Sequence, residues 1–281
     1  MKRLLLTGAL CASLLSSACV HWHHGKQRHR RSSTIEFLYP DEKSEAKAPS
    51  VPHLKIPLNV GIAFVPDHAR NHRNQVISED QKQQLLRSVA KQFASLPFIK
   101  NIETIPTTYL RPGGGFDNLR QLRTMLGIDV IALVSYDQVQ HTDEDALALS
   151  YVTIIGAFLI NGERNDTSTM LDTTVFHIPS EQLLFRAPGT SQVKARSSAV
   201  GHSKSLREDG LAGMQNANKQ MIQNLHSELI RFQERIKQRP EQFKITRAEG
   251  YKGGGNLGFA GGLLACLLLL AAWRRNESVT Q

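Results

Sequence analysis

The sequence predicts an α/β protein: a single mixed-sheet α/β sandwich domain that ends in a long amphipathic helix. Three observations predict this fold. Early in the chain, apolar strand-like segments alternate with helical repeats, which is typical of β-α-β units. Strand-like segments then follow one another directly, as in a meander. A long helical repeat over 205–239 comes last and is stopped by Pro240, because a proline cannot continue a helix.

The first predicted elements are a strand, a helix and a second strand. Asn59–Val65 is rich in apolar residues and is followed by Pro66, as expected of a buried strand. Ser78 and Gln81 have the spacing of a capping box, which predicts a helix start at Ser78. Apolar residues then repeat at helical spacing: Leu85, Leu86, Val89, Phe93 and Leu96. Phe98–Ile105 is predicted as the second strand.

A glycine loop and a short helix lead into the centre of the predicted sheet. Arg111–Phe116 contains consecutive glycines and is predicted as a tight loop. Asp117 is predicted to cap a short helix that Gly127 closes. Val130–Val134 is wholly apolar, so this strand is expected in the middle of the sheet with both faces covered.

The rest of the domain is predicted as a hairpin, a short strand and the long helix. Leu147–Ile160 is too short to span a bilayer but suits a long strand, and Asn161-Gly162 suits a hairpin turn. Thr167–Ile178 would be the returning strand, and Gln182–Arg186 another short strand. Ser205–Arg239 carries the amphipathic repeat of the final helix.

Three groups of residues could carry chemistry, and each has a simpler explanation. Gly113–Gly115 could form an anion nest, but the loop lacks the Gly-Lys-Ser/Thr ending of a phosphate loop, which favours an ordinary turn. Ser88 and Lys91 have Ser-x-x-Lys spacing without its companion motifs. An acidic group could bind metal or act in acid–base catalysis, although a solvated loop is the favoured interpretation; its members are Asp137, His141, Asp143, Glu144 and Asp145. The sequence therefore predicts no catalytic residue, no metal site and no cofactor.

Residues 19–57 are predicted to be a basic tether ahead of a folded domain at 58–245. Histidines are mixed with the basic residues of the tether, at His21, His23, His24 and His29. Histidine-rich segments can bind metal, but this one lacks cysteine or acidic ligands at closed spacing. Attraction to anionic lipid headgroups is the favoured role.

Residues 1–18 have the order of a secretory signal: a basic start, an apolar segment, and small residues before Cys19. This order resembles a bacterial lipoprotein signal, with cleavage after Ala18 and lipidation of Cys19 by lipoprotein-processing enzymes. An ordinary cleaved signal with a chance cysteine is the alternative. The resemblance implies delivery to the outer membrane of a Gram-negative cell, because Val20 stands where a retention signal commonly has Asp.

Residues 246–281 contain three parts in order: the glycines Gly253, Gly254 and Gly255, the apolar segment Leu257–Trp273, and the basic pair Arg274 and Arg275. The apolar segment would form about 25 Å of helix, a slightly short membrane span that local thinning of the bilayer tolerates. The basic pair is predicted to stay on the cytoplasmic side. This tail resembles the GlyGly-CTERM sorting signal, which implies cleavage near the glycines by rhombosortase, a rhomboid-type membrane protease. A permanent anchor is the alternative.

Three internal segments, Tyr109–Asp117, Asp129–Gln138 and Phe185–Thr190, are similar to segments of the rhombotarget lipoproteins. Members of that family carry a lipoprotein signal at one end and a GlyGly-CTERM tail at the other. The resemblance implies how the chain is processed and where it is located in the cell, but it implies no molecular activity. It implies insertion at the inner membrane during processing, and a mature form held by lipid at the outer membrane or cell surface.

Composition agrees with an envelope protein and limits its partners. The formal net charge is +9, which indicates attraction to anionic lipid or polysaccharide. Nucleic acid is not expected as a partner, because no groove-reading motif is present. The three cysteines, Cys11, Cys19 and Cys266, all lie in processing segments, which leaves none for a disulfide.

Two classes of function remain open at this point. A binding or structural lipoprotein is the favoured one, with an unknown partner protein. An envelope hydrolase, or an activator or assembly lipoprotein of envelope machinery, is the alternative. A deep polar pocket joining Asp137, His141 and the Gly113–Gly115 loop would favour the hydrolase.

Overall fold

The structure is a computed structural model that describes residues 26–40, 50–67, 77–144, 163–197 and 202–248. Its strands are β1 (Lys26–Arg31), β2 (His53–Ile56), β3 (Leu58–Phe64), β4 (Ile99–Ile105), β5 (Val130–Glu144), β6 (Glu163–His177), β7 (Gln182–Ser197) and β8 (Lys244–Arg247). Its α-helices are α1 (Thr34–Leu38), α2 (Glu79–Phe93), α3 (Gly115–Leu126) and α4 (His202–Gln238). Short 3-10 helices span Thr107–Tyr109 and Pro240–Gln242.

Several sequence predictions fall outside the described residues. They are the strand Leu147–Ile160 with its Asn161-Gly162 turn, Asp145, the processing site at Ala18 and Cys19, the glycines Gly253, Gly254 and Gly255, the apolar segment Leu257–Trp273, and the basic pair Arg274 and Arg275. Within the described ranges, no helix is long and apolar enough to cross a bilayer.

One mixed sheet forms the centre of the fold. Five strands follow one another in the order β4-β3-β5-β6-β7, and β1 joins the same sheet beside β5. β3 is parallel to β4 and β5, whereas β6 pairs antiparallel with β5, and β7 pairs antiparallel with β6. β3 pairs with Val130–Val134 of β5, and β1 pairs antiparallel with Asp137–Thr142 of the same strand. The structure therefore confirms an α/β fold with a mixed sheet and a long final helix.

The sheet separates two apolar cores, because successive side chains on a strand point to opposite faces. On β5, Val130, Ala132 and Val134 belong to the core beneath α2 and α4. Ile131 and Leu133 belong to the core beneath α1 and α3. This central strand is covered on both sides, as its continuous apolar sequence predicts.

Local boundary signals are confirmed. Gln81 N donates to Ser78 Oγ at 3.3 Å, and Ser78 N donates to Gln81 Oε1 at 2.8 Å, so the predicted capping box begins α2. Gly127 ends α3 with a φ of 65°, in the left-handed conformation that glycine favours. Pro240 follows the end of α4, as predicted.

The fold begins earlier in the chain than predicted. β1, α1 and β2 all lie in the segment 19–57 that was expected to be a tether. Phe37 and Leu38 of α1 are only 2% and 5% exposed and belong to the same core as α3. β2 pairs in parallel with β8, near the other end of the domain. The segment was predicted as a tether because it is mostly basic and has few apolar residues. The strands with which β1 and β2 pair, β5 and β8, are distant in the sequence.

The prediction that Asp117 caps α3 is wrong. The helix begins at Gly115, and its N-cap residue is Gly114. Asp117 lies in the first turn, where a negative charge still favours the helix through its dipole.

The middle of the domain also differs from the prediction. The residues from Asp137 to Glu144 form the second half of β5 rather than a solvated loop. β6 pairs with β5 on one side and with β7 on the other, so strands that the structure describes occupy both of its edges. β7 continues to Ser197, well beyond the predicted end at Arg186. The alternation of this strand is concealed in the sequence because its inward positions carry polar residues, Gln138 and Gln140, which are buried in the structure.

Candidate functional site

The acidic group predicted near the central strand does not assemble into a site. Asp137 lies opposite β1, and its Oδ1 accepts a hydrogen bond from His29 Nε2 at 2.8 Å on an open surface. His141 is exposed further along β5, and Asp143 and Glu144 lie at the end of that strand. Among the residues that the structure describes, no three His, Cys, Asp or Glu side chains come together as a metal site.

The Gly113–Gly115 loop is closed by its neighbours. Gly113 and Gly115 have φ values of 65° and 59°, a region that other residues rarely adopt. A Cβ on Gly113 would lie 3.1 Å from Pro40 Cβ, and one on Gly115 would lie 3.1 Å from Leu38 O. The glycines thus let the chain around α1 pack directly on the loop, which supports the interpretation as an ordinary turn.

Ser88 serves packing between two helices. Its Oγ donates to Leu85 O at 2.7 Å and accepts a hydrogen bond from Asn218 Nδ2 at 2.8 Å. These bonds join α2 to α4, while the side chain of Lys91 is exposed. The Ser-x-x-Lys spacing is explained by helix packing rather than by nucleophilic chemistry.

A polar cluster lies near the end of β3, where the carboxyl ends of parallel strands often carry ligand sites. Tyr136 Oη donates to Asp67 Oδ1 at 2.6 Å, and Lys82 Nζ lies 4.0 Å from Asp67 Oδ2. Burial, followed by the charge of Asp67, raises the pKa of the Tyr136 hydroxyl. Burial also lowers the pKa of Arg30 nearby. The carboxylate of Asp67 thus has both Tyr136 and Lys82 as partners. These contacts join β5, the end of β3 and α2.

An apolar cavity lies on the α2–α4 side of the sheet, beneath the second half of α4. Its volume is about 160 Å³. The lining residues are apolar with the exception of Gln233: Leu54, Ile56, Leu58, Val60, Ile62, Val89, Ala90, Phe93, Phe98, Ile99, Ile102, Val130, Ala132, Val175, Leu184, Phe185, Leu225, Leu229, Phe232, Ile236 and Ile245. Several of them, including Leu58, Phe98 and Ile236, are only half-buried, so the cavity reaches toward the surface.

Three phenylalanines pack into one wall beside the cavity, and two of them, Phe185 and Phe232, line it. The rings of Phe185 and Phe232 have centroids 5.3 Å apart, and Phe243 meets Phe232 edge-on at 5.4 Å. Such aromatic pairs add stability beyond the area that they bury. The wall is therefore a fixed surface against which a flexible ligand could pack.

Two polar side chains lie at this wall. Gln233 lines the cavity, and the guanidinium carbon of Arg235 is 5.5 Å from the ring centroid of Phe232. This distance is within the range of a cation–π interaction. Of these two side chains, Gln233 lines the cavity, whereas Arg235 contacts Phe232 and is not part of the lining.

The first half of α4 is packed quite differently. A Cβ on Gly189 of β7 would overlap Ala217 O, so strand and helix backbones are in direct contact there. On β5, the side-chain amides of Gln138 and Gln140 donate to the α4 carbonyls Gly210 O and Leu206 O, at 2.9 and 2.8 Å. Small residues and hydrogen bonds hold this end of the helix directly against the sheet.

Two histidines of the domain, the buried His177 and the half-buried His226, have lowered pKa values. His226 stacks on Phe93, a cavity-lining residue, with ring centroids 4.5 Å apart. Burial lowers the pKa of His226. His177 shares a 2.7 Å hydrogen bond with Ser180, and burial is the main cause that lowers its pKa as well. Both side chains therefore favour the neutral form.

The cavity-lining residues were not singled out from the sequence. The signal that could have found them is the change in residue size along α4. The buried positions of its first half include Gly210, Gly213 and Ala217 beside Leu206 and Met214, whereas its second half carries Leu225, Leu229, Phe232 and Ile236. Large apolar residues at helical spacing indicate a core, and the space between them depends on contacts that only the folded chain creates.

No family model and no curated protein matches the chain. Among solved structures, PelC from Paraburkholderia phytofirmans matches in two crystal forms. The dodecamer of a single-residue variant matches at 10% identity and a TM-score of 0.25, over 70% of this chain and 99% of that chain. A second PelC dodecamer matches at 8% identity and a TM-score of 0.26, over 69% of this chain and 98% of that chain. A neuraminyllactose-binding hemagglutinin homolog from Helicobacter pylori matches at 16% identity, 73% of this chain, 99% of that chain and a TM-score of 0.35. TM-scores in this range do not establish a shared fold.

Proposed function

We propose that this chain is a cell-envelope lipoprotein whose α/β domain is a binding module for an apolar ligand. The observation that supports the binding role is the cavity of about 160 Å³ beneath α4, with Gln233 as the one polar residue in its lining. Ligand sites of proteins are commonly concave and apolar, with few polar groups that orient the ligand. The residues weighed as catalytic candidates lie elsewhere and serve surface, turn or helix packing.

The size of the cavity argues for an occupant. Protein interiors are packed as densely as organic crystals, with few voids larger than a water molecule. This cavity of about 160 Å³ opens past half-buried residues, so its apolar lining meets water. An apolar ligand would gain free energy by covering that surface.

The proposed location in the cell envelope rests on the sequences of both ends of the chain. We propose lipidation at Cys19 and removal of the tail near Gly253, Gly254 and Gly255 by a rhomboid-type protease, as the resemblance to the rhombotarget lipoproteins implies. A chain held by lipid at one end and by a membrane span at the other could not leave the inner membrane. Removal of the tail would release it for transport to the outer membrane.

Photochemical labelling tests the binding role. Full-length protein in lipid nanodiscs is irradiated with a neutral aliphatic diazirine, and the adducts are mapped by mass spectrometry. We expect adducts on cavity residues such as Phe98 and Leu229. The variant Ala132→Leu, which fills the cavity, should lose these adducts and keep those on the segment Leu257–Trp273. Equal cavity labelling of both proteins would contradict the binding role.

Intact-mass analysis tests the envelope address. Protein purified from its native cells should begin at an acylated Cys19 and lack Trp273, and it should retain the tail when the rhomboid-type protease is deleted. A variant with leucine at Gly253, Gly254 and Gly255 should remain in the inner membrane. Outer-membrane delivery of that variant would contradict release by cleavage.

A further inference from the structure

We infer that the ligand of the cavity is an uncharged molecule with one aliphatic chain and a neutral hydrogen-bonding group, and that Gln233 binds this group. This inference rests on the proposed binding role and adds the chemical class of the ligand. Aliphatic alcohols, esters and amides belong to this class, whereas carboxylates, phosphates and amines lie outside it.

The lining of the cavity offers no partner for a charged group. Of the described residues that line it, none has an ionisable side chain. Transfer of an ionised group from water into apolar surroundings costs far more free energy than transfer of a neutral polar group, unless an opposite charge or several hydrogen bonds compensate. The site therefore selects against a carboxylate or an ammonium group and accepts a neutral one.

Gln233 supplies the polar contact of the site. Its side-chain amide has two donor hydrogens and an acceptor oxygen, and it has no hydrogen-bond partner among the residues that the structure describes. Ligand sites that are otherwise apolar commonly use a few such groups to orient the ligand. A hydroxyl, ester or amide group can pair with this amide while both partners stay neutral.

The position of Gln233 sets the direction in which the ligand lies. Gln233 is half-buried, like Leu229 and Ile236 of the same helix, where the cavity reaches toward the surface. Ile62 and Leu184 also line the cavity and are only 2% and 3% exposed. The neutral group of the ligand would therefore lie at the opening, and its aliphatic chain would extend inward toward Ile62 and Leu184.

The volume of the cavity allows one aliphatic chain. A cavity of about 150 Å³ in another protein binds benzene, and the volume here is about 160 Å³. The enclosed space therefore holds on the order of six carbon atoms, as many as benzene has. Further carbon atoms of a longer chain would lie in the opening, in contact with water.

The charges on the second half of α4 lie outside the cavity lining. Glu234 Oε1 and Lys237 Nζ form an ion pair at 2.9 Å, and Glu228 pairs with Arg231. The guanidinium of Arg235 lies over an aromatic ring. None of these side chains is part of the lining, so the polarity of the site comes from the glutamine amide alone.

Competition for the photochemical label tests the charge of the ligand. Full-length protein in nanodiscs of zwitterionic lipid is labelled with the neutral aliphatic diazirine in the presence of hexan-1-ol or hexanoic acid, each at a measured free concentration. The pH is about 8, where the acid is ionised. The alcohol should compete at least about tenfold better than the acid. Equal competition, or better competition by the acid, would overturn the neutral ligand and leave the apolar binding role intact.

Two variants of α4 assign the polar contact to Gln233. Gln233→Met keeps the approximate size of the side chain and removes the amide. It should weaken competition by hexan-1-ol about fivefold, as expected for one hydrogen bond between neutral groups. Competition by hexane should stay unchanged in this variant, because the apolar lining is intact. Gln223→Met is the matched control: it replaces an exposed glutamine of the same helix that does not line the cavity, and it should change neither competition.

The two parts of the inference fail separately. Equal competition by hexan-1-ol in Gln233→Met and in the unaltered protein would overturn the role of Gln233. The comparison of alcohol and acid uses the unaltered protein, so it tests the neutral ligand even if the substitution at Gln233 disturbs folding. Absence of any cavity label in the unaltered protein would overturn the binding role together with the ligand class.

Discussion

The two halves of α4 meet the same sheet in opposite ways. The first half contacts β7 backbone to backbone, at Gly189 and Ala217, and is hydrogen-bonded by glutamines of β5. The second half presents Leu225, Leu229 and Phe232 to the sheet and leaves an apolar cavity. One helix thus has a half that fixes its position and a half that leaves space. We interpret the first as the structural anchor of the domain and the second as its ligand site.

The largest effect should follow from adding one methyl group to the anchor. In Gly189→Ala the new Cβ would overlap Ala217 O and lie 2.5 Å from Met221 N, both of them backbone atoms. Since α4 must move away from the sheet, the free energy of unfolding should fall by about 3 kcal/mol or more. Pulse proteolysis in urea measures it.

Gly127→Ala is the control for the loss of a glycine. Gly127 also has a positive φ, but a Cβ there would meet nothing within 4 Å. Its cost should be limited to backbone strain of about 1 kcal/mol. Equal destabilisation by the two variants would show that contact between β7 and α4 is not the reason for Gly189.

The same substitution should have opposite effects in the two halves. Ala217→Leu enlarges a fully buried residue in the anchor and should destabilise the protein by about 2 kcal/mol. Ala132→Leu extends into the cavity and should leave stability unchanged or raise it by up to about 1 kcal/mol. Thermal unfolding followed by circular dichroism compares the two. A similar loss in both variants would mean that the second half of α4 is packed as tightly as the first.

Loss of one glutamine amide should cost less than a steric clash. Gln140 Nε2 donates to Leu206 O at 2.8 Å and to Thr167 Oγ1 at 3.2 Å, in a buried position. Gln140→Ala should lower the free energy of unfolding by about 2 kcal/mol, because these acceptors lose their partner and a small void opens. Hydrogen exchange should show the increase in opening at the start of α4. An unchanged exchange rate there would contradict the proposed anchoring role.

The smallest expected effect is a dependence on pH. Burial lowers the pKa of His226 and of His177 below the usual 6.5. The unfolded chain therefore binds more protons than the folded one below about pH 6.5, so stability should fall as the pH is lowered through and below that value. The pH dependence of stability is measured as the urea midpoint of unfolding between about pH 7.5 and 5. His226→Phe should reduce the slope, and a steeper slope in that variant would contradict the assignment.

Local signals in the sequence predicted the elements whose boundaries depend on nearby residues. The capping box at Ser78 and Gln81, the closing glycine Gly127 and the apolar strand Val130–Val134 all act within a few positions. These signals are chemical properties of short segments, so they can be recognised in the sequence without knowledge of the fold.

Features that depend on distant partners could not be predicted in this way. The basic strand β1 is ordered by pairing with β5 more than a hundred residues later, and β2 is ordered by β8. The cavity depends on side chains from strands and helices along most of the domain. Its existence is a property of how these side chains meet, and no single segment carries a signal for it.

Xenon binding tests the contrast between the two halves of α4 most directly. Xenon enters apolar cavities that are large enough to hold it. In a crystal of the protein pressurised with xenon, we predict density beside Leu225 and Leu229 in the unaltered protein, none between Gly189 and Ala217, and none at either place in Ala132→Leu. Absence of xenon from the cavity of the unaltered protein would contradict the account.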